Sequence, residues 1–483
     1  MKSHLAISLL LIVFTSSIHA QSNGWNNGGG NAYRNGFVNT IGPTTDSVLW
    51  QANASGIFGT PLFIEGNYLV TMRFISMTNA PVECYDLNTG NLLWSVDVTN
   101  QSGRSLPVGL RDERVYVVRY TESLNDSLYA LNVFDGSYMW TSNATVSNYI
   151  TETGVFDSLG YFYILGNNFD KTVKINPSNG QMIWQTNTVP MASGSGEMAI
   201  HNSSTKGYTL EQLGGLSYLW AIDLLTGQKL YSLHIPQLVP GGNVCQSALM
   251  VGFDGTIYVH LTEDNIASVT DNGSGFNINW QTVILGNSSF SLMCVGADGS
   301  IYAPTDGRII RLNPVNGAVV NLSAPITQGG FFSPRLTATS NNVIYATNGE
   351  NYVYALDQNL NLLWSDYIPN TNTSGVCVSP NGLAAVCGQG FIRVYTPTQT
   401  SNLLENTLPN ISYYPNPAKS FLNISVDGWS EDINYSLIDI SGRQVSSGTI
   451  SNSPYQIDLS ILSKGLYFLE LNGREKSMKI IKE

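Results

Sequence analysis

The chain has five thiols, Cys84, Cys245, Cys294, Cys377 and Cys387. None stands in the CxxC spacing that a zinc or dithiol site uses. Cys294 and Cys377 open matching phrases, Cys-Val-Gly-Ala-Asp-Gly and Cys-Val-Ser-Pro-Asn-Gly. That match predicts small buried strand residues, with a disulfide formed after export as the alternative. Beyond residue 20 the histidines are His201, His234 and His260. They form no His-Glu-x-x-His pair, and His260, inside Thr-Ile-Tyr-Val-His-Leu, reads as a core or edge strand residue. No Gly-x-Ser-x-Gly elbow or phosphate-binding Gly-rich loop is present. Glu197 and the pair Glu263-Asp264 lie near turns. Two carboxylates on one funnel could hydrolyse a glycosidic bond, but their separation is set by the fold, and solvated loop charge is the plainer reading. Asp271–Gly275 is rich in Asp and Gly yet lacks calcium-loop spacing, so it reads as a turn. No catalytic, cofactor-binding or metal residue is assigned.

The elements that would position any such group come from one phrase that returns along the chain. Its clearest copies are YDLNTGNLLW (85–94), YALNVFDGSYMW (129–140), VKINPSNGQMIW (173–184), WAIDLLTGQKLY (220–231) and YALDQNLNLLW (354–364). Each is an apolar strand, an Asp or Asn, a turn, and a strand ending in a large aromatic. The closing positions are Trp50, Trp94, Trp140, Trp184, Tyr231, Trp280, Asn321 and Trp364, spaced 41 to 49 apart. That period is the span of a four-stranded propeller blade. Between the copies, runs such as RVYVVRY (114–120) and TIYVHL (256–261) are β-branched and aromatic, bounded by Asp-Gly and Asn-Gly pairs. Those pairs are hairpin signals, and no helical period persists. Asp or Asn stands eight before the closing position in six copies, where its side chain fixes the turn. Gly stands four before it in five copies, where it permits a positive φ.

These phrases resemble the PQQ-like β-propeller repeat, in which a tryptophan docks between blades. The resemblance covers residues 44–397. It implies docking roles for Trp50, Trp94, Trp140, Trp184, Tyr231, Trp280 and Trp364. Three copies depart from the pattern: DNGSGFNINW (271–280) shifts the Gly, LNPVNGAVVN (312–321) ends in Asn321, and YALDQNLNLLW has no Gly. The expected fold class is all-β: an eight-bladed propeller, seven if two weak units merge, with one blade completed by both ends of the array. The family's quinone enzymes use a vicinal cysteine pair and calcium-binding acids. No two cysteines here are adjacent, so no cofactor is expected, and a repeat does not carry its relatives' chemistry.

Residues 1–20 read as a secretory signal: Lys2, an apolar run from Leu5 to Phe14, and a cleavage site after Ala20. A Gly- and Asn-rich segment (21–43) follows. Residues 398–412 form a polar linker. No other stretch is long and apolar enough to span a bilayer, so no transmembrane segment is expected in the mature chain. Formal net charge is −12. Residues 413–483 carry seven basic and eight acidic side chains, and residues 21–412 carry 14 and 26. Nucleic acid and anionic lipid would be repelled.

The last 71 residues alternate as a small β-sandwich. YYPNPAKSFLNISV (413–426), IDISGRQV (438–445), LSKGLYFLELNG (462–473) and the basic end KSMKIIKE resemble the C-terminal sorting domain of type IX secretion substrates. Tyr414, Pro415, Asn416, Pro417, Gly442, Arg443, Gly465 and Tyr467 carry that resemblance. It implies a Bacteroidetes-type bacterium, export by the leader, engagement of the type IX machinery, and release or attachment to surface lipopolysaccharide. The expected function is a non-catalytic binding or adhesion protein for an extracellular glycan or protein. The alternatives are a polysaccharide hydrolase or lyase with its site in the funnel, and an outer-membrane assembly scaffold.

Overall fold

The computed structural model describes residues 24–58, 62–100, 103–121, 126–146, 154–166, 171–186, 198–201, 205–213, 215–239, 248–261, 264–284, 293–326, 335–347, 351–369, 375–397, 411–426, 433–439, 443–452, 454–471 and 478–483. The elements named in them are all strands. The chain divides into two compact units, Met1–Thr398 and Gln399–Glu483.

The first unit is a propeller. Seven successive antiparallel meanders of four strands span 63–96, 104–146, 155–185, 199–235, 248–283, 294–322 and 336–367. The last sheet draws on both ends of the array. Cys377–Val378 pairs with the start of Ala384–Tyr395, and the end of that strand pairs with Val48–Phe58, Trp50 lying opposite Val394. Val48–Phe58 continues past this sheet, and Ile57 and Phe58 pair with Phe74 and Arg73 of the first meander. Backbone hydrogen bonds therefore cross the seam where the array closes, leaving that edge paired.

Packing follows the alternation. Strands of the first and second positions bury both faces, as in Ile257–Leu261 and Ile344–Thr347. Fourth strands open with two exposed apolar residues before the closing aromatic, as in Leu92–Val96 and Leu362–Tyr367. The second unit holds a three-stranded and a four-stranded sheet around one core that includes Leu422, Ile424, Leu437, Ile457, Leu469 and Ile480.

Candidate functional site

The repeated phrase builds a seam between neighbouring meanders. Asp86 shows the turn: its Oδ1 accepts from the backbone N–H groups of Asn88 (3.0 Å) and Thr89 (2.8 Å). Asp223 does the same for Leu225 and Thr226. The residue after the turn's Asp or Asn offers its carbonyl to the previous tryptophan. Nε1 of Trp50 donates to Leu87 (2.7 Å), Trp94 to Val133 (2.7 Å), Trp140 to Pro177 (3.0 Å), Trp184 to Leu224 (3.2 Å) and Trp280 to Pro314 (2.9 Å). Trp364 donates to Pro43 at 3.4 Å, outside the repeated phrase.

The glycine of the turn lies under the same indole. A Cβ on Gly90, Gly136, Gly180, Gly227 or Gly317 would approach Trp50, Trp94, Trp140, Trp184 or Trp280 to between 2.3 and 2.8 Å. All five also have φ between 68° and 76°. Two demands, a left-handed backbone and an absent side chain, meet at one position.

The irregular copies keep the seam by other means. Tyr231 donates to Asp271 Oδ1 (2.6 Å), and Tyr208 (2.9 Å) and Lys206 (3.1 Å) reach Oδ2 of the same carboxylate. Burial pushes Asp271 up, but the hydrogen bonds from Tyr231, Gly273, Tyr208 and Lys206 outweigh it and hold the carboxyl below its usual value. In this copy Asp271 and Asn272 both brace the turn, accepting from the N–H groups of Gly273 and Ser274. Asn321 donates through its amide to the carbonyl of Asn359. In that seam the place of the glycine is held by Leu360, at φ 64° and buried.

The second feature lies at the propeller axis. Residues 24–43 hydrogen-bond to the ends of the first strands of successive meanders, in chain order. Gly24 and Trp25 pair with Glu65 and Ile64. Asn26 bonds Leu110 through its backbone carbonyl and its side-chain amide. The carbonyls of Ala32, Tyr33, Asn35 and Gly36 accept from Ile200, Val251, Val295 and Ala338. Phe37 and Val38 then run parallel to Ala338 and Thr339. Arg335, fully buried, donates to the carbonyl of Gly28, and burial lowers its pKa to about 10. The buried side chains Asn26, Asn27 and Asn35 are polar because they complete this backbone pairing. The sequence signal was there: four asparagines spaced among glycines between 26 and 36. Gly and Asn there suggest turns, whereas the segment runs along the ends of the first strands.

Among the described residues, those singled out for chemistry do not converge. His260 is fully buried in a second strand, and burial lowers its pKa to about 4. Asp264 is buried, accepting from the N–H groups of Leu238 and Val239. His201 packs on Tyr33, and His234 on Tyr218. Glu197, Glu263 and Cys245 lie outside the described residues. The other four cysteines are buried thiols, and burial raises the pKa of Cys84, Cys294 and Cys377. Cys84 and Cys294 lie in the first and sixth sheets, and Cys377 and Cys387 on neighbouring strands of the closing one; no two are vicinal in the sequence, as a quinone site's pair would be. Among the described residues no group of three His, Cys, Asp or Glu could hold a metal ion.

In the second unit, Asn416 clamps the C-terminal strand Met478–Lys482: its amide donates to Lys479 O (2.8 Å), and its Oδ1 accepts from Ile481 N (2.8 Å). Both Tyr414-Pro415 and Asn416-Pro417 are cis. Tyr414 is exposed. Arg443 pairs with Asp439 (3.1 Å), and Tyr467 donates to Ser463 O (2.8 Å). Gly465 opens the strand Gly465–Leu471 that pairs with this last strand. Gly442 is outside the described residues.

Residues 412–483 match the family described as the secretion system C-terminal sorting domain. Residues 34–212 match a PQQ-repeat family described as outer membrane protein assembly factor BamB. Among solved structures, BamB from Moraxella catarrhalis aligns over 72% of this chain and 98% of its own, at 14% identity and a TM-score of 0.54. Quinohemoprotein alcohol dehydrogenase from Comamonas testosteroni aligns over 81% and 84%, at 12% identity and a TM-score of 0.56. At these identities the likeness is one of fold. No curated protein sequence matches the chain. The chain thus carries a PQQ-type repeat region in a β-propeller fold and a type IX secretion C-terminal sorting domain, which indicates export to the cell surface or the medium.

Proposed function

We propose that this protein is a non-catalytic binding or adhesion module, an eight-bladed propeller (44–397) tethered by the linker 398–412 to its sorting domain. In this reading residues 1–20 are a leader, the host is a Bacteroidetes-type bacterium, and the ligand is an extracellular glycan or protein. The tryptophans and Tyr231 serve the ring as blade locks. The eight-blade reading is supported by seven meanders among the described residues plus the sheet that joins Val48–Phe58 to Ala384–Tyr395.

The observation that carries the reading is the joining of an export tail to a ring whose axis holds the protein's own backbone. Residues 24–43 occupy the end of the axis where first strands turn into second strands. Backbone at that end of the ring supports a binding role over a substrate funnel there. The scaffold alternative is disfavoured because the tail takes the protein out of the periplasm.

The test follows the mass and location of the protein in cells with and without residues 413–483, alongside binding and hydrolysis assays on purified propeller. The expected result is surface or medium localisation that depends on the tail, with binding and no turnover. Retention in the periplasm with the tail uncut would favour the scaffold. Release of reducing sugar from a polysaccharide would favour the enzyme.

A further inference from the structure

Residues 24–43 meet the ring at several meanders, yet they are also folded on themselves. Asn26 N donates to Gly30 O (3.0 Å), Gly30 N to Asn27 O (2.9 Å) and Gly36 N to Gly29 O (3.0 Å). The Asn31 amide donates to Asn35 Oδ1 (2.8 Å) and to Phe37 O (3.1 Å), and the Asn27 amide to Asn31 O (2.9 Å). Close packing adds to these bonds. A Cβ on Gly29 would come within 2.7 Å of the Arg34 backbone, and one on Gly30 within 2.9 Å of the Trp25 ring. Trp25, Asn27, Arg34 and Asn35 are buried. The stretch 25–37 is thus a compact body held by its own bonds.

Its outward bonds are spread around the ring. The backbone N–H groups of Leu110, Ile200, Val251, Val295 and Ala338 donate to it, from the second, fourth, fifth, sixth and seventh meanders. All five of these residues are buried. Phe37 also packs edge-on against Phe253 of the fifth meander, at 4.9 Å. Suppose the body let go of one meander and stayed on the rest. The vacated N–H would lose its acceptor while the remaining contacts kept water out, and an unmet buried donor is costly. Peeling residue by residue would also break the internal bonds. Both costs fall away when the body leaves whole, because water then reaches every donor together.

We propose that residues 24–43 are an axial clamp that couples meanders not adjacent in the ring: it releases its partners together, while the blade seams stay closed. The seams do not depend on it, since Trp94, Trp140, Trp184 and Trp280 each donate to a carbonyl of the next meander. The clamp stays tethered when it opens. Pro43 O accepts from Tyr345 Oη (2.7 Å) and Trp364 Nε1 (3.4 Å), and the chain then runs into Val48–Phe58 of the closing sheet. Such a device is a unit of sub-global opening, less stable than the ring it fastens. The inference concerns how the ring is fastened and not what it binds, so its failure leaves the binding reading as it stands.

Amide hydrogen exchange on the full chain tests it, with one contact removed at a time. Asn26→Ala removes the amide that donates to Leu110 O (2.6 Å) in the second meander. It should lower protection about tenfold at the N–H groups of Val295 and Ala338, in the sixth and seventh. Phe253→Ala removes the ring against Phe37 in the fifth meander. It should do the same at Leu110 N–H, in the second. Amides within the sheets, such as those of Val117 and Val259, should keep their protection. Phe253 is partly exposed, so its variant keeps the test available if Asn26→Ala does not fold; circular dichroism and Tm check both. Loss confined to the meander whose contact was removed overturns the clamp, because its contacts would then be independent. Equal loss at Val117 and Val259 overturns it too, since clamp and ring would then open as one. Unchanged protection everywhere in both folded variants does the same, because neither contact would then bear on the clamp.

Discussion

At the seam between the second and third meanders, Trp140 rests on Gly180, and its indole donates to Pro177 O. At the seam between the sixth and seventh, Asn321 donates to Asn359 O over Leu360. Both turns hold the critical residue left-handed, at φ 73° and 64°. The backbone demand is therefore common to the two, and only the first uses glycine. What differs is the neighbour. A Cβ on Gly180 would come within 2.3 Å of Trp140, whereas the shorter Asn321 leaves room for a whole leucine. Leu360 bears about 1–2 kcal/mol for its backbone, offset by burying a side chain worth about 1.5–3 kcal/mol. Much of the glycine's value at the regular seams is thus imposed by the tryptophan of the preceding meander.

Breaking the regular seam should give the largest effect. Trp140→Ala removes a buried indole and should cost about 3–5 kcal/mol, read as a drop in the urea midpoint of the propeller. Gly180→Ala should be nearly as damaging in wild type but clearly milder in the Trp140→Ala background, where only the φ penalty is left. Equal cost in both backgrounds would show that the glycine answers to its own turn and not to the indole.

This seam also marks how far the sequence could be read. The Asp or Asn, the Gly and the closing aromatic are short-range signals, so the strands, the turns and the period were visible in the residues themselves. The partner of each tryptophan in the regular copies is some forty residues away, at contacts such as Trp94 with Val133, and that of Trp364 is Pro43. The meaning of the irregular copies depends on that distant partner, so Asn321 and the missing glycine looked like two separate defects when they are one matched exchange. The segment 24–43 was opaque for a similar reason. Its hydrogen bonds go to six different meanders and as far along the chain as Trp364, and no local pattern announces a partner spread around a ring.

Inserting the regular residue into the irregular seam should have a middling effect. Asn321→Trp places an indole over Leu360 and should cost about 1–3 kcal/mol, the usual penalty of overpacking. Leu360→Gly alone should also destabilise, through its lost burial. Together the two rebuild the regular seam, so the double variant should be more stable than the sum of the single effects predicts, by about 1 kcal/mol or more of coupling. Simple additivity in thermal midpoints would sever the link between the pair.

The smallest effect is expected at the third kind of seam, where Tyr231 docks on a charge. Tyr231, Tyr208, Lys206 and the Gly273 N–H all donate to Asp271, and together they hold its carboxyl below the usual 3.8 despite burial. A carboxyl depressed in the folded state contributes in full above its unfolded pKa and loses that contribution as pH falls through the folded one. The Trp140 seam contains no such group at its indole contact. Acid should therefore loosen the Tyr231 seam first, and Asp271→Asn should flatten the stability profile below about pH 4 at a cost near neutrality of about 1 kcal/mol, that of weakened hydrogen bonds. Hydrogen exchange at Gly273 N–H, followed from pH 6 downward, isolates this seam from the rest of the ring: protection should fall in acid in wild type and show little pH response in the variant, once the intrinsic exchange rate is divided out. A wild-type profile that falls in parallel at Gly273 and at the Gly180 turn would mean the ring opens as a whole, and that the chemistry of each seam does not set its own stability.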